Sequence, residues 1–253
     1  MKFMPTLCAL LAVTAVALSS AGAAEPVEGR QYTRLQMPQP TEPNGKVEVI
    51  EFFWYGCSHC GKLEPLLKPW VKQLPADVSF KKVPAILNDS WAPGARLYYT
   101  LEAMGLLDKL NDAAFDAMLN QRINLGNERI LLDWVASKGV DRQAFADTYK
   151  SFSVESRVTK AAEMTQEYGF SGVPALVVGG KYSPGPELRS HGEMLQVADI
   201  LIVRNRGPQT RCGVEGQACR RPALWPAKPP LRRPRPGAPL ARVIRSRCAP
   251  AEA

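Results

Sequence analysis

Two cysteines separated by two residues, Cys57 and Cys60, flank Ser58 and His59 and are the side chains of this chain best suited to chemistry. At a helix start, this spacing puts both sulfurs on one turn, close enough to bridge. The first cysteine then meets unpaired backbone N–H groups and the positive end of the helix dipole, which favour a thiolate. An imidazole at His59 favours it further. A stabilised thiolate is a stabilised reduced state, so the matching disulfide is the stronger oxidant. The chemistry expected is thiol–disulfide exchange. A thiolate attacks the Cys57–Cys60 disulfide, a mixed disulfide forms on Cys57, and Cys60, more buried and less reactive, resolves it.

Other uses of such a pair stay open. Half of a zinc site needs a second C-x-x-C or a close pair of histidines, and neither is present. Haem attachment needs a histidine directly after the second cysteine, where this chain has Gly61. A purely structural disulfide is the third. Around the motif, Glu51 lies inside an apolar strand, where a carboxylate is costly unless it is functional or paired. His191 reads as a helix-start or surface histidine rather than a catalyst. Trp54, Tyr55, Trp91, Tyr98 and Tyr99 suit either a peptide groove or the core.

The elements that must position the motif follow from periodicity. Val47 to Trp54 is an apolar, β-branched and aromatic run, a buried strand that Gly56 ends. A helix is predicted from Cys57 to Gln73, with Leu63, Leu66, Leu67, Trp70 and Leu74 at helical spacing. Pro65 and Pro69 inside it should kink its axis. Val78 to Val83 alternates as a second strand. Residues 88–168 then turn helical, with helices over Pro93–Met104, Leu106–Gln121, Asn127–Lys138, Asp141–Lys150 and Val154–Tyr168; Gly139 and Gly169 serve as stops. Gly172-Val173-Pro174 leads into a strand over Ala175–Val178. A Gly179-Gly180 turn and a strand at Lys181-Tyr182 complete a hairpin. A last helix covers His191 to Arg204. Residues 25–45 are polar and proline-rich, irregular except for one short edge strand. This is an α/β sheet with an inserted helical block.

Charge is distributed unevenly. The net charge of +8 belongs to residues 207–253, which hold ten Lys/Arg and two acids; the preceding 206 residues carry 22 of each sign. The folded body therefore gives no basis for nucleic-acid binding. Nine of those last 47 residues are proline and nine are arginine, with no apolar periodicity, so this tail is expected to be disordered. Its three cysteines, Cys212, Cys219 and Cys248, are an odd set for an exported protein; a shifted reading frame or lost stop codon past residue 206 is the expected origin, with a genuine basic extension as the competing reading. At the other end, Lys2, the apolar run Leu7–Leu18 and the small residues Ala21-Gly22-Ala23 read as a secretory signal peptide, cleaved near Ala24. Export places the protein where disulfides persist.

The segment Glu51-Phe52-Phe53-Trp54-Tyr55-Gly56-Cys57-Ser58-His59-Cys60 resembles the active-site segment of the DsbA family of periplasmic disulfide oxidases. The likeness extends over roughly residues 25–206, including the helical insertion and Val173-Pro174. It implies a thioredoxin-like fold with an inserted all-helical domain, a monomer in the periplasm, and donation of the Cys57–Cys60 disulfide to newly exported cysteine-containing proteins. It also implies reoxidation by a DsbB-like membrane quinone reductase, with no metal and no cofactor beyond the disulfide. That family is itself the standard instance of a helix-terminal thiolate in an oxidising couple, so this implication belongs to the resemblance. By the same resemblance Pro174 is a cis-proline facing the disulfide, and Val173 offers its backbone to a substrate peptide. Glu51 is the acid beneath the disulfide that moves protons to and from Cys60, and Pro65 is the helix's kink proline. Ser58 departs from the Pro-His of the best-known members, and a milder oxidising strength is the expectation. A periplasmic reductase or isomerase, and a C-x-x-C metal-binding chaperone, are the competing readings.

Overall fold

The computed structural model describes residues 25–42 and 45–206. The signal peptide read over 1–24 and the basic tail read over 207–253 lie outside the described residues. The elements are β1 (Tyr32–Arg34), β2 (Val47–Phe53), α1 (Ser58–Gln73) and β3 (Val78–Pro84), then a 3-10 turn (Asp89–Trp91). Helices α2 (Ala92–Ala103), α3 (Leu107–Leu119), α4 (Glu128–Ser137), α5 (Arg142–Tyr149) and α6 (Phe152–Tyr168) follow. The described chain ends with β4 (Ala175–Val178), β5 (Tyr182–Pro184) and α7 (His191–Asn205). The five strands form one mixed sheet in the order β1-β5-β4-β2-β3. The five-helix block is inserted between β3 and β4.

All seven residues of β2 are buried. That fits its place inside the sheet, parallel to β3 and antiparallel to β4, because a strand covered on both faces needs an unbroken apolar run. Its two faces feed two cores. Val47 and Val49 pack with Leu63 and Leu67 of α1 and with Leu195, Leu201 and Ile202 of α7. Ile50 and Phe52 join the helical block, where Phe52 stacks obliquely on Tyr168 and Phe170. Glu51 sits at the middle of this strand, in register with Lys82 of β3.

The helix ends follow local capping chemistry. Asn127, Asp141 and Ser151 each accept a backbone N–H from three residues on, satisfying a donor that the first turn leaves unpaired. Gly169 closes α6 in the left-handed region at φ 64°. Most boundaries fall within one or two residues of the sequence reading, and two of the differences have a clear cause. Helix α6 begins two residues before Val154, because the Ser151 cap sets its start while Phe152, 85% exposed, carries no core signal. The last strand is Tyr182–Pro184, because Lys181 closes the turn instead, its N–H on the Val178 carbonyl at 3.1 Å. Gly179 and Gly180 both hold positive φ there, as a tight hairpin requires. β5 then runs on to Pro184 because β1 pairs with it. Helix α1 continues unbroken through Pro65 and Pro69.

Candidate active site

The site is built where β2 stops. Trp54, Tyr55 and Gly56 turn the chain, the Cys57 N–H bonds the Trp54 carbonyl at 3.0 Å, and α1 begins at Ser58. Cys57 is the N-cap residue, in an extended conformation, and its sulfur accepts the Cys60 N–H at 3.4 Å. The first turn of α1 holds no acidic side chain to compete with a thiolate. The thiol group of Cys57 also donates to the Val173 carbonyl at 3.3 Å. That oxygen precedes Pro174, and the Val173–Pro174 bond is cis. The geometry therefore brings Cys57, Cys60, Val173 and Pro174 to one place, across 116 residues of chain.

The two thiols are strongly unlike. Cys57 is half-buried and its pKa is lowered from 9.0 to about 6. The leading cause is the hydrogen bond from the Cys60 side chain, followed by the Cys60 and His59 N–H groups and the charge of His59, while burial works against them. The bond to Val173 is open only to the protonated sulfur, so ionisation gives it up. Cys60 has no exposed surface, and burial, with the neighbouring Cys57 sulfur, pushes its thiol far up. Cys57 is thus the thiolate and Cys60 the thiol.

Glu51 lies wholly buried on the α1 side of β2; its charge helps raise the Cys60 thiol, and the charge of Cys57 in turn helps raise Glu51. Lys82 Nζ stands 3.2 Å from Glu51 Oε2 as an ion pair, and among the described residues no other polar group hydrogen bonds to the Glu51 carboxylate oxygens. Lys82 also binds Glu64, buried on α1. Asn111 Nδ2 donates to Glu64 at 3.2 Å, and Tyr55 donates its hydroxyl to Asn111 Oδ1 at 3.0 Å. Two carboxylates share one ammonium, and the interior does not hold a surplus negative charge. Burial accordingly raises Glu51 to about 7 against the pull of Lys82. Lys82 stays charged, since its two acids outweigh its burial. Sequence reasoning found Glu51 and missed the rest. The signals were there: Lys82 falls on the same strand face as Val78 and Phe80, and Glu64 falls on the stripe of Cys60, Leu63 and Leu67.

His59 is exposed on the first turn of α1. Its ring meets that of His191 edge to face, centroids 6.0 Å apart. These are the chain's two histidines, so His191 belongs to the mouth of the site, a placement that a helix-start reading does not supply. Its pKa is lowered by burial and by the charges of His59 and Lys62. Of the aromatics, Tyr55, Tyr98 and Tyr99 are core, while Trp54 and Trp91 stack face to face at 4.4 Å, half-buried beside the loop.

The comparisons with known proteins agree with this geometry. A family model described as the DSBA-like thioredoxin domain matches residues 66–189, downstream of Cys60. The thiol:disulfide interchange protein DsbA of Burkholderia cepacia is 39% identical over 203 residues, which is 79% of this chain and 95% of that protein. The DsbA of Pseudomonas aeruginosa strain PAO1 is 37% identical over 206 residues, with the same coverage. Among solved structures, Pseudomonas aeruginosa DsbA superposes with a TM-score of 0.68 at 37% identity, over 72% of this chain and 95% of that one. The oxidoreductase NmDsbA1 of Neisseria meningitidis does so with a TM-score of 0.65 at 33% identity, over 71% and 94%.

Proposed function

This chain belongs to the DsbA family of thiol:disulfide interchange proteins and is a thiol–disulfide oxidoreductase of thioredoxin-like fold with an inserted helical domain, and from that premise we propose that it donates its Cys57–Cys60 disulfide to newly exported proteins in the periplasm. The observation that carries the reading is the asymmetry of the pair: Cys57 caps a helix with its pKa at about 6, and Cys60 is buried with its thiol pushed far up. A low-pKa sulfur is a good leaving group and a stable product, which favours giving the disulfide away.

The proposed step begins with a substrate thiolate attacking Cys57 Sγ. The Cys57–Cys60 bond breaks, a mixed disulfide forms on Cys57, and Cys60 departs with the electron pair. A buried Cys60 thiolate is unfavourable, so it takes up a proton, and Glu51, titrating near 7, is the group placed to give one. The second substrate thiol then loses its proton and attacks the substrate sulfur of the mixed disulfide, and Cys57 leaves as a thiolate. Two substrate thiols have become a disulfide and the protein's disulfide a dithiol, a two-electron exchange. The backbone of Val173 aligns the substrate strand, Pro174 shapes that approach, and His59 supports the Cys57 thiolate. Regeneration falls to a DsbB-like quinone reductase in the membrane. A cleaved signal peptide over residues 1–24 delivers the protein to that compartment.

The test is the reduction potential of the Cys57–Cys60 couple, by glutathione equilibration of the mature chain with Cys212, Cys219 and Cys248 replaced by serine. A strongly oxidising value supports a dithiol oxidase. A value near that of a cytosolic reductant gives first place to a reductase, and failure to cycle reversibly between dithiol and disulfide removes both enzyme readings.

A further inference from the structure

Beside Cys57 lies an open groove of about 560 Å³ whose lining includes Leu66, Pro174, Leu188, Arg189, His59 and His191. Its floor is apolar, and Leu66 remains 44% exposed there. Its rim is basic. Arg189 and His191 flank the start of α7, His59 stands opposite, and Lys62, one turn further along α1, is near enough for its charge to act on His191. Both Lys62 and Arg189 are exposed, and neither side chain enters an ion pair among the described residues. The acids nearby in sequence are already engaged. Glu187 pairs with Arg30 at 2.8 Å, and Glu193 Oε2 accepts the Arg189 backbone N–H at 2.8 Å. The mouth of the site therefore presents two fixed cations and two imidazoles against one nearby carboxylate, Glu193, which is held by the Arg189 backbone N–H rather than by a side-chain cation.

We propose that this basic rim makes the protein prefer polypeptides carrying acidic residues beside the reacting cysteine. The inference rests on the oxidase reading above and names the class of substrate that reading leaves open. An extended segment lying along the Val173 backbone with its cysteine over Cys57 sends neighbouring side chains toward His59 and the start of α7. Carboxylates there meet Lys62, Arg189 and His191, and the positive helix end adds to the attraction. The pairs with Lys62 and Arg189 are exposed, so each contributes about two- to fivefold; His191 adds a hydrogen-bond donor, and together they steer encounter at low salt.

The experiment compares two dithiol peptides of equal length, one with aspartates and one with lysines flanking the attacking cysteine. The oxidant is the oxidised mature chain with Cys212, Cys219 and Cys248 replaced by serine. Each rate is divided by that peptide's rate with hydroxyethyl disulfide, which removes the effect of the flanking charges on the peptide's own thiol. The expected normalised preference for the aspartate peptide is about tenfold at low ionic strength, falling toward parity in 1 M salt. In the Lys62→Gln, Arg189→Gln, His191→Gln triple variant the preference drops to about twofold or less. The residual preference in that variant reports any pull from the basic tail, which both proteins share. Equal normalised rates, or an undiminished preference in the triple variant, overturn the inference while leaving the oxidase reading intact. Oxidation of neither peptide overturns the oxidase reading and this inference with it.

Discussion

Replacing Cys60 by alanine should weaken the Cys57 thiolate more than replacing His59 does. The Cys60 side chain is the leading cause of the lowered Cys57 pKa, whereas the charge of His59 is the smallest of the four effects that lower it. A hydrogen bond to a charged group is worth about 1.5–3 kcal/mol. Cys57 is only partly buried, so solvent screening reduces this to about 1–1.5 kcal/mol, or about one in pKa at 1.36 kcal/mol each. The Cys60→Ala midpoint should therefore move from about 6 to about 7, and that of His59→Ala by about half as much. Cys60→Ser, which keeps a donor in place, should return toward the parent value. The assay is the pH dependence of iodoacetamide alkylation of the reduced protein, read with thiolate absorbance at 240 nm. The consequence for oxidising strength is set by where neutral pH falls. At pH 7 a thiol lowered to about 6 stabilises the reduced state by about 1.4 kcal/mol before screening, which is about 30 mV for a two-electron couple. The fuller effect appears only above pH 9, because a depressed pKa favours the ionised form from its ordinary value upward and the gain is lost as pH falls through the lowered value. An unchanged Cys60→Ala midpoint beside a large shift in His59→Ala would refute the ranking and make the imidazole the main stabiliser.

Two further outcomes concern the buried charges. Lys82→Met leaves Glu51 and Glu64 without their ammonium, and should cost about 3 kcal/mol in urea denaturation at pH 7.5. The loss should shrink as pH falls below about 7, where Glu51 takes up its proton in the folded chain; a loss independent of pH would place the role of Lys82 in packing. Glu51→Gln should act in the opposite direction. A carboxyl raised from 4.5 to about 7 contributes nothing unfavourable below 4.5, and its cost grows until pH passes 7. The variant should therefore gain about 3 kcal/mol at pH 7 and above. It should also lose the inflection near pH 7 in the rate of mixed-disulfide formation, and retention of that inflection would assign it to another group.

Much of this protein is settled locally and was legible in the sequence. The Cys57–Cys60 spacing, the apolar run of β2, the caps at Asn127 and Asp141 and the glycine stops each depend on a few neighbouring residues. Capping, helical periodicity and turn chemistry act over that range, so the cysteine pair at a helix start needed nothing from the rest of the fold. At the boundaries of α6 and β5, the cause was a cap beside a residue with no core signal, as at Ser151 and Phe152, and pairing with a distant strand, as where β1 sets the end of β5. The surroundings of the cysteines were decided by tertiary structure. Glu51 meets Lys82 because β3 pairs parallel to β2 in one register, and Glu64 joins them because α1 turns its Cys60 stripe onto that face. Val173 reaches Cys57 only when the sheet sets the end of the helical block against the start of α1, and His191 meets His59 only when α7 packs beside α1. A sequence records each of these charges and rings but not which of them share a dielectric, and the pKa of a buried group depends on that sharing. The reactive pair and the buried carboxyl of Glu51 were therefore written into ten consecutive residues, while Lys82 and Glu64, which set that carboxyl's surroundings, and most of the charge at the mouth came from segments joined only by folding.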